Sequence, residues 1–469
     1  MSDMLIQGGR IIDAYQKLDI VGDVLIRDGR IAAVYPGGRR TAQQNGREAQ
    51  NLEVLDASGC IVSPGFVDLH AHLREPGYED KETIFTGTRA AAAGGFTTIC
   101  CMPNTSPAVD NAATLDWIKR TAVCQGVVRV LPVAAITKKR EGVELSEMAE
   151  LARGGAVAFS DDGRPVPSSR VMRHALDYAQ MLDRPVVSHC EDLELTMGGA
   201  MNEGVVATKL GLKGMPSAAE EIVVSRDIAL TELVGGKLHI AHVSTAGSVD
   251  LVRRAKDKGL AVTAEVTPHH LTLTDDWVAG QRGNWGLMFP YWGPMPPYNT
   301  NTKVNPPLRR DSDISALVEG LRDGTIDAIA TDHAPHTVVD KQCEYDAAEF
   351  GISGLETALA SLMALVHRDQ LELPLLIAKL TLGPASAFGL PYGTLKEGTA
   401  ADITVFSPDE EWTVDPSAFA SKGKNTPLSG LRLRGRVVYT FVEGKLVHQR
   451  AGIRLGEAQV GVQAVQVEK

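Results

Sequence analysis

Residues 65–77, GFVDLHAHLREPG, run from an apolar stretch into a polar cluster and place His70 two residues before His72. On a β-strand that spacing puts both imidazoles on one face, about 7 Å apart along the strand. Two imidazoles converging at the end of a buried strand can hold a metal ion. Arg74 follows on the same parity, at or just past the strand end. A fixed cation beside such a pair points to an anionic group on the substrate. The motif alone is common, so its meaning depends on whether other strands bring further ligands to the same place.

The elements that would do so are readable along the chain. From residue 65 the pattern alternates strand and helix. Strands are expected at residues 65–72, 97–102, 127–135, 156–160, 185–189, 237–243, 261–266 and 326–331. Helices are expected at 82–93, 112–124, 168–182, 218–233, 248–258 and 354–366, among others. Eight β/α repeats over about 300 residues indicate an α/β fold, a (β/α)8 TIM-like barrel, with its active site at the C-terminal strand ends. Residues 1–60 read differently, as short strands at 4–7, 10–12, 23–26 and 30–34 separated by Gly-Gly and Asp-Gly turns, with 39–51 as a polar loop. Past Pro384 short strands return at 393–406 and 434–440. Both termini are therefore expected to pair into one small β-sandwich, residues 1–60 and 385–469, beside a catalytic barrel of residues 61–384. Residues 455–469 carry no strong signal.

Composition narrows the function classes. The chain has 469 residues, is 44% hydrophobic and 22% charged, and carries a formal net charge of −11. An acidic globular chain argues against nucleic acid or an anionic membrane surface as partner. Six cysteines without a CxxC pair give no disulfide framework. No signal peptide is read at the N-terminus and no apolar run reaches the length of a membrane span. The expected compartment is the cytoplasm.

The strand ends can now be inspected together. Strand one ends in His70 and His72, strand four in FSDDG with Asp161 and Asp162, strand five in His189, strand six in His242, and strand eight in Asp332 with His336 close behind. Only 12 histidines exist in the chain, and chance would scatter them over helices and loops. His239 falls on the other parity of strand six, His174 lies mid-helix, and His269 and His270 follow strand seven, so these are read as structural. Two adjacent divalent ions need an anion between them. Strand four offers no lysine for carboxylation, so its anionic candidates are Asp161 and Asp162.

With these strand ends stand CMPNT (101–105), SHCE (188–191), AHVST (241–245), EVTPHH (265–270), KVNPPLR (303–309) and ATDHAPH (330–336). Together they resemble the amidohydrolase superfamily, and within it the class I bacterial dihydroorotases, over nearly the whole chain. The resemblance implies two zinc ions per subunit, one on His70, His72 and Asp332 and the other on His189 and His242, bridged by Asp162 and a hydroxide. It implies that His72, Arg74, Asn104 and His336 meet the substrate and its carboxylate, that Asn305 adds a contact, and that Phe350 and Gly351 offer main-chain groups to a pyrimidine ring. Asp332 would be the acid–base residue. The implied reaction is the reversible cyclisation of N-carbamoyl-L-aspartate to L-dihydroorotate in de novo pyrimidine (UMP) biosynthesis.

Two alternatives stand beside it. Hydantoinases, dihydropyrimidinases and allantoinases are related cyclic amidases, but the first two carry the carboxylated lysine missing here, and neutral hydantoins give Arg74 nothing to bind. A non-catalytic dihydroorotase-like partner of aspartate transcarbamoylase would usually lack several ligands. A homodimer, and association with that transcarbamoylase, are compatible with an intact site. The chain departs from the family pattern at 277–302, which includes NWGLMFPYWGPMPPY (284–298). So many aromatic residues suggest burial against something, and a lid or an interface is expected over an elongated surface loop.

Overall fold

The computed structural model describes residues 3–37, 52–281 and 296–450. The expected loop at 39–51 and the tail at 455–469 lie outside the described residues, as does most of the aromatic stretch. Of that stretch's described flanks, Trp277 is fully buried and Tyr298 is exposed, its hydroxyl donating to the Leu210 carbonyl at 2.9 Å.

All eight barrel strands form where the sequence places them, though most are shorter. They are Phe66–Ala71, Phe96–Cys101, Arg129–Pro132, Phe159–Ser160, Val186–Ser188, Leu238–Ile240, Val262–Val266 and Ala328–Ile329. Strands one to three pair in parallel, as do strands four to eight. Single parallel bridges, Ala134 to Phe159 and Ala71 to His333, join the two arcs into a ring. Val67, Leu69, Cys100, Met102, Val133, Ala158, Val187, Ala241, Ala328 and Ala330 gather in one buried apolar cluster, a filled barrel interior and not a pore. Helices Ile84–Ala93, Ala112–Gln125, Ser169–Met181 and Ala246–Asp257 start where Thr83, Asn111, Ser168 and Thr245 cap the free amides of the first turn. Met148–Gly154, Asp311–Arg322, Leu373–Leu380 and Leu382–Phe388 add further helices.

The two termini meet in one eight-stranded sheet. It forks at strand Asp3–Asp13, whose first half pairs with Leu52–Asp56 and whose second half pairs with Ile61 and Val62. The fork lets strands from both ends of the chain surround a shared cluster that includes Ile6, Ile11, Val24, Leu55, Val405 and Phe441. Details differ from the sequence expectation: the strand expected at 393–406 is Ile403–Thr413, and further strands form at Leu52–Asp56 and Lys445–Gln449. The Gly8-Gly9 pair does not turn the chain; residues 3–13 are a single strand whose register shifts between Ile6 and Gly9. A bulge absorbs the extra residue there, and the side chain of Asp23 takes the Gly8 amide at 2.9 Å.

The sheet and barrel are joined without a linker. Ile61–Pro64 pairs with Ile403–Phe406 in the terminal sheet, and after Gly65 the same extended chain becomes barrel strand one. A side chain at Gly65 would lie 2.1 Å from the Thr97 hydroxyl, so the close passage of strands one and two requires glycine here.

Candidate metal and substrate site

At the C-terminal mouth of the barrel six buried donors converge. His70, His72 and Asp162 form one group whose ligating atoms lie within 4.8 Å of one another, and Asp162, His189 and His242 form a second. Asp162 belongs to both. Its Oδ1 lies 3.1 Å from His70 Nε2, 3.7 Å from His189 Nδ1 and 3.8 Å from His242 Nε2, and its Oδ2 lies 3.6 Å from His72 Nε2. Asp332 joins the first group, with Oδ1 at 3.0 Å from His72 Nε2 and 3.7 Å from His70 Nε2. The choice between the paired aspartates is visible in their partners. Asp161 is turned toward Thr137, accepting from its amide at 3.0 Å and from its hydroxyl. Asp162 is the one that faces the imidazoles.

Three of the four imidazoles have their outward nitrogen held by an acceptor. His70 Nδ1 donates to Glu265 at 2.8 Å, His72 Nδ1 to Asn104 Oδ1 at 2.9 Å, and His189 Nε2 to Glu191 at 3.0 Å. Each such bond puts the ring proton on the far nitrogen and leaves a lone pair aimed at the cluster, the tautomer a metal ligand needs. His70 Nε2 is fully buried and makes no hydrogen bond. Four imidazoles and two carboxylates, with an orphaned buried nitrogen among them, fit a divalent ion of the zinc type.

Charge inside the cluster is balanced locally. Burial alone would raise the Asp162 carboxyl, but His70, His242 and His72 outweigh it and hold it well below the usual carboxylate range. The same competition, won by His72 and His70, keeps Asp332 low. Burial also opposes ionisation of Glu265 and Glu191, yet hydrogen bonds from His239 and His70 bring the first down to about 2, and His189 brings the second to about 2. His239, read as structural, is thus the second partner of Glu265, at 3.1 Å. His270 is structural as well, donating to the Pro306 carbonyl at 2.9 Å.

Beside the donors a cavity of about 210 Å³ opens, lined by Arg74, Asn104, Asn305, His336, Phe350 and Gly351 together with ligand residues. Every residue singled out for substrate binding therefore borders one space. Arg74 is half-buried, with its Nε donating to the Pro335 carbonyl at 3.3 Å. His336 Nε2 donates to the Phe350 carbonyl at 2.8 Å, and its Nδ1 stands 3.4 Å from Lys81 Nζ. Burial, then the charges of Arg74 and Lys81, push this imidazole down and favour its neutral form. Asn104 also reaches Asp162 Oδ2 at 3.4 Å, and Asn305 donates to Glu191 at 2.9 Å. These two amides touch the donor cluster as well as the cavity. Gly351 sits at φ +143°, where a Cβ would lie 2.7 Å from the Ala334 carbonyl oxygen. Arg74, His242 and Asp332 occupy the left-handed region at φ 61°, 34° and 44°. Non-glycine residues persist there only where surrounding structure holds them.

The sequence reading assigned no role to several residues. Glu265 and Glu191 orient His70 and His189. Arg140 donates to the Asp162 carbonyl at 2.6 Å. Asn425, from the C-terminal region, donates to the carbonyls of Ala334 and Gly351 and accepts from the His336 amide, each at 3.0 Å. Glu265 had a signal, a lone acid inside the apolar strand Val262–Val266. Asn425 had none.

Fold and site together define a hydrolase of the amidohydrolase class. A family model described as Dihydro-orotase-like matches residues 59–248, and one described as Amidohydrolase family matches residues 227–448. Among solved structures, L-hydantoinase (dihydropyrimidinase) from Arthrobacter aurescens superposes with a TM-score of 0.82 at 25% identity, covering 96% of each chain. Dihydropyrimidinase from Brevibacillus agri NCHU1002 gives 0.77 at 22% identity over 95% of each chain, a likeness of fold alone. Sequence relatives are much nearer. A protein named dihydroorotase from Syntrophus aciditrophicus (strain SB) is 50% identical over 95% of this chain and 99% of its own length. Another so named, from Anaeromyxobacter dehalogenans (strain 2CP-C), is 52% identical over 96% of this chain and 99% of its own. The chain belongs to the dihydroorotase family. Among the described residues no helix is long and apolar enough to cross a membrane.

Proposed function

We propose that this chain catalyses the reversible hydrolysis of L-dihydroorotate to N-carbamoyl-L-aspartate. The observation that carries the reading is the sharing of one cavity by five of the six buried donors, all but His70, and Arg74. Hydantoins and dihydrouracil carry no carboxylate for that cation. The donors would hold two zinc ions, His70, His72 and Asp332 on one, His189 and His242 on the other, and Asp162 on both. Such ions, when bound, acidify water and polarise a carbonyl.

The protein's own groups do the rest. Arg74, assisted by Asn104 and His336, holds the substrate carboxylate and so fixes the ring relative to the donors. Main-chain groups of Phe350 and Gly351, with the Asn305 amide, meet the ring edge. Asp332 takes a proton from the attacking water as its oxygen bonds to the ring carbonyl carbon. As the carbon–nitrogen bond breaks, Asp332 returns that proton to the departing nitrogen, which leaves as the carbamoyl nitrogen of the open product. Ring closure runs through the same groups in reverse.

The test is turnover of L-dihydroorotate, dihydrouracil, hydantoin and allantoin side by side, with metal quantification on the same sample. Preference for dihydroorotate and a bound divalent ion is expected. Preference for a neutral ring, or full activity without metal, would overturn the reading.

A further inference from the structure

The cavity wall that ends in Phe350 and Gly351 is a loop with an unusual support. Lys303 and Lys341 are almost fully buried, with 2% and 5% of their surface exposed. Their ammonium groups donate to main-chain carbonyls of this one loop. Lys303 Nζ reaches the carbonyls of Asp346 at 2.9 Å and Ala348 at 2.6 Å; Lys341 Nζ reaches those of Glu349 at 2.6 Å and Gly351 at 3.2 Å. Lys303 Nζ also lies over the Phe350 ring, 4.4 Å from its centre. The Lys303 carbonyl accepts from the Gly351 amide at 2.8 Å. Burying an ammonium costs stability unless it is paired, and carbonyls compensate it less fully than a carboxylate would. Burial, and then the charge of Lys303, pushes the Lys341 ammonium down to about 7. An apolar chain in either place would leave the carbonyls it faces without these donors. What they do achieve is fixed direction for the carbonyls of residues 346–351.

We propose that Lys303 and Lys341 are positioning residues that hold the Phe350–Gly351 edge in the conformation that meets the substrate ring. Lys303 further ties that edge to Asn305, two residues along its own segment. The inference rests on the functional reading above, in which this edge contacts substrate. Neither lysine is given a contact with substrate. Their effect belongs to binding, and the donor cluster is untouched by it.

The experiment compares Lys303→Met, Lys341→Met and Lys303→Arg with the unsubstituted protein, measuring KM and kcat for L-dihydroorotate, metal content and thermal melting. Both methionine variants are expected to raise KM about tenfold while kcat and metal content stay within about twofold, and Lys303→Arg to recover part of the loss. If Lys303→Met does not fold, Lys341→Met decides by the same criteria. An unmoved KM in the folded methionine variants overturns the inference, as does a fall in kcat that follows metal loss. Absence of dihydroorotate turnover in the unsubstituted protein would instead count against the functional reading.

Discussion

The site has a floor and a wall, and they are built by opposite means. The floor is the donor cluster at the barrel strand ends. Its charges are buried and compensated side chain to side chain, as in Glu265 with His70 and His239, or Glu191 with His189. The wall, from Asn305 through His336 to Gly351, is loop. It is held by side chains gripping main-chain carbonyls, as Lys303, Lys341 and Asn425 do. A floor made of strand ends is fixed by the barrel, while a wall made of loops can change with less effect on the donor cluster. The difference implies that floor variants should fail in kcat or metal content, and wall variants in KM.

The largest effect is expected at Asp332. Asp332→Asn should lower kcat on the order of 10²–10⁴-fold, the usual range for loss of a general acid–base group, with dihydroorotate still bound. Steady-state kinetics checks this, and a variant altered only in KM would move Asp332 from floor to wall. Glu265→Gln should come next, weakening metal affinity by about 10–100-fold through loss of the bond that orients His70. Competition with a chelator measures it, and unchanged affinity would mean His70 is held by packing alone.

Asn305 belongs to both regions through Glu191, so Asn305→Ala should raise KM about tenfold and also loosen metal on the His189 side. A KM effect with tight metal would keep floor and wall separate.

A control outside both regions is Glu356, whose carboxylate accepts from the amides of Ala420 and Ser421. Burial pushes its carboxyl up to about 7 from 4.5. A raised folded-state value means the native protein binds the proton more tightly. The stability it contributes is complete below pH 4.5 and lost as pH rises through about 7. Glu356→Gln should flatten that decline in melting temperature with no change in kcat or KM at fixed pH.

The floor was legible from sequence because strand ends have an address. His70, His189, His242 and Asp332 each close an apolar run, and the barrel topology brings such ends together. Even the eight strands could be placed from their apolar runs, while the Gly8-Gly9 bulge was misread as a turn because both use glycine. The wall was legible at Arg74 from its spacing, and at Asn104, Asn305, His336, Phe350 and Gly351 only through family resemblance. Its supports were silent. Lys303, Lys341 and Asn425 act on carbonyl oxygens, which every residue has, so no residue spacing betrays them. The expectation of a lid or interface at 284–298 falls largely outside the described residues.

The forked terminal sheet has a consequence for how the protein is made. The strand that carries His70 and His72 is continuous with Ile61–Pro64, whose partners in the sheet are Ile403–Phe406. The Ser63 hydroxyl and the Thr404 carbonyl meet across a separation of 341 residues. Contacts so distant in sequence form late, because the long intervening chain must first be ordered. On the ribosome, where synthesis runs from the N-terminus, the base of the strand bearing His70 and His72 meets Asp3–Asp13 early but lacks its other neighbour, Ile403–Phe406, until most of the chain has emerged. A nascent chain arrested just before residue 403 would hold all six donors and still lack one of the two neighbours that flank the base of the strand bearing two of them.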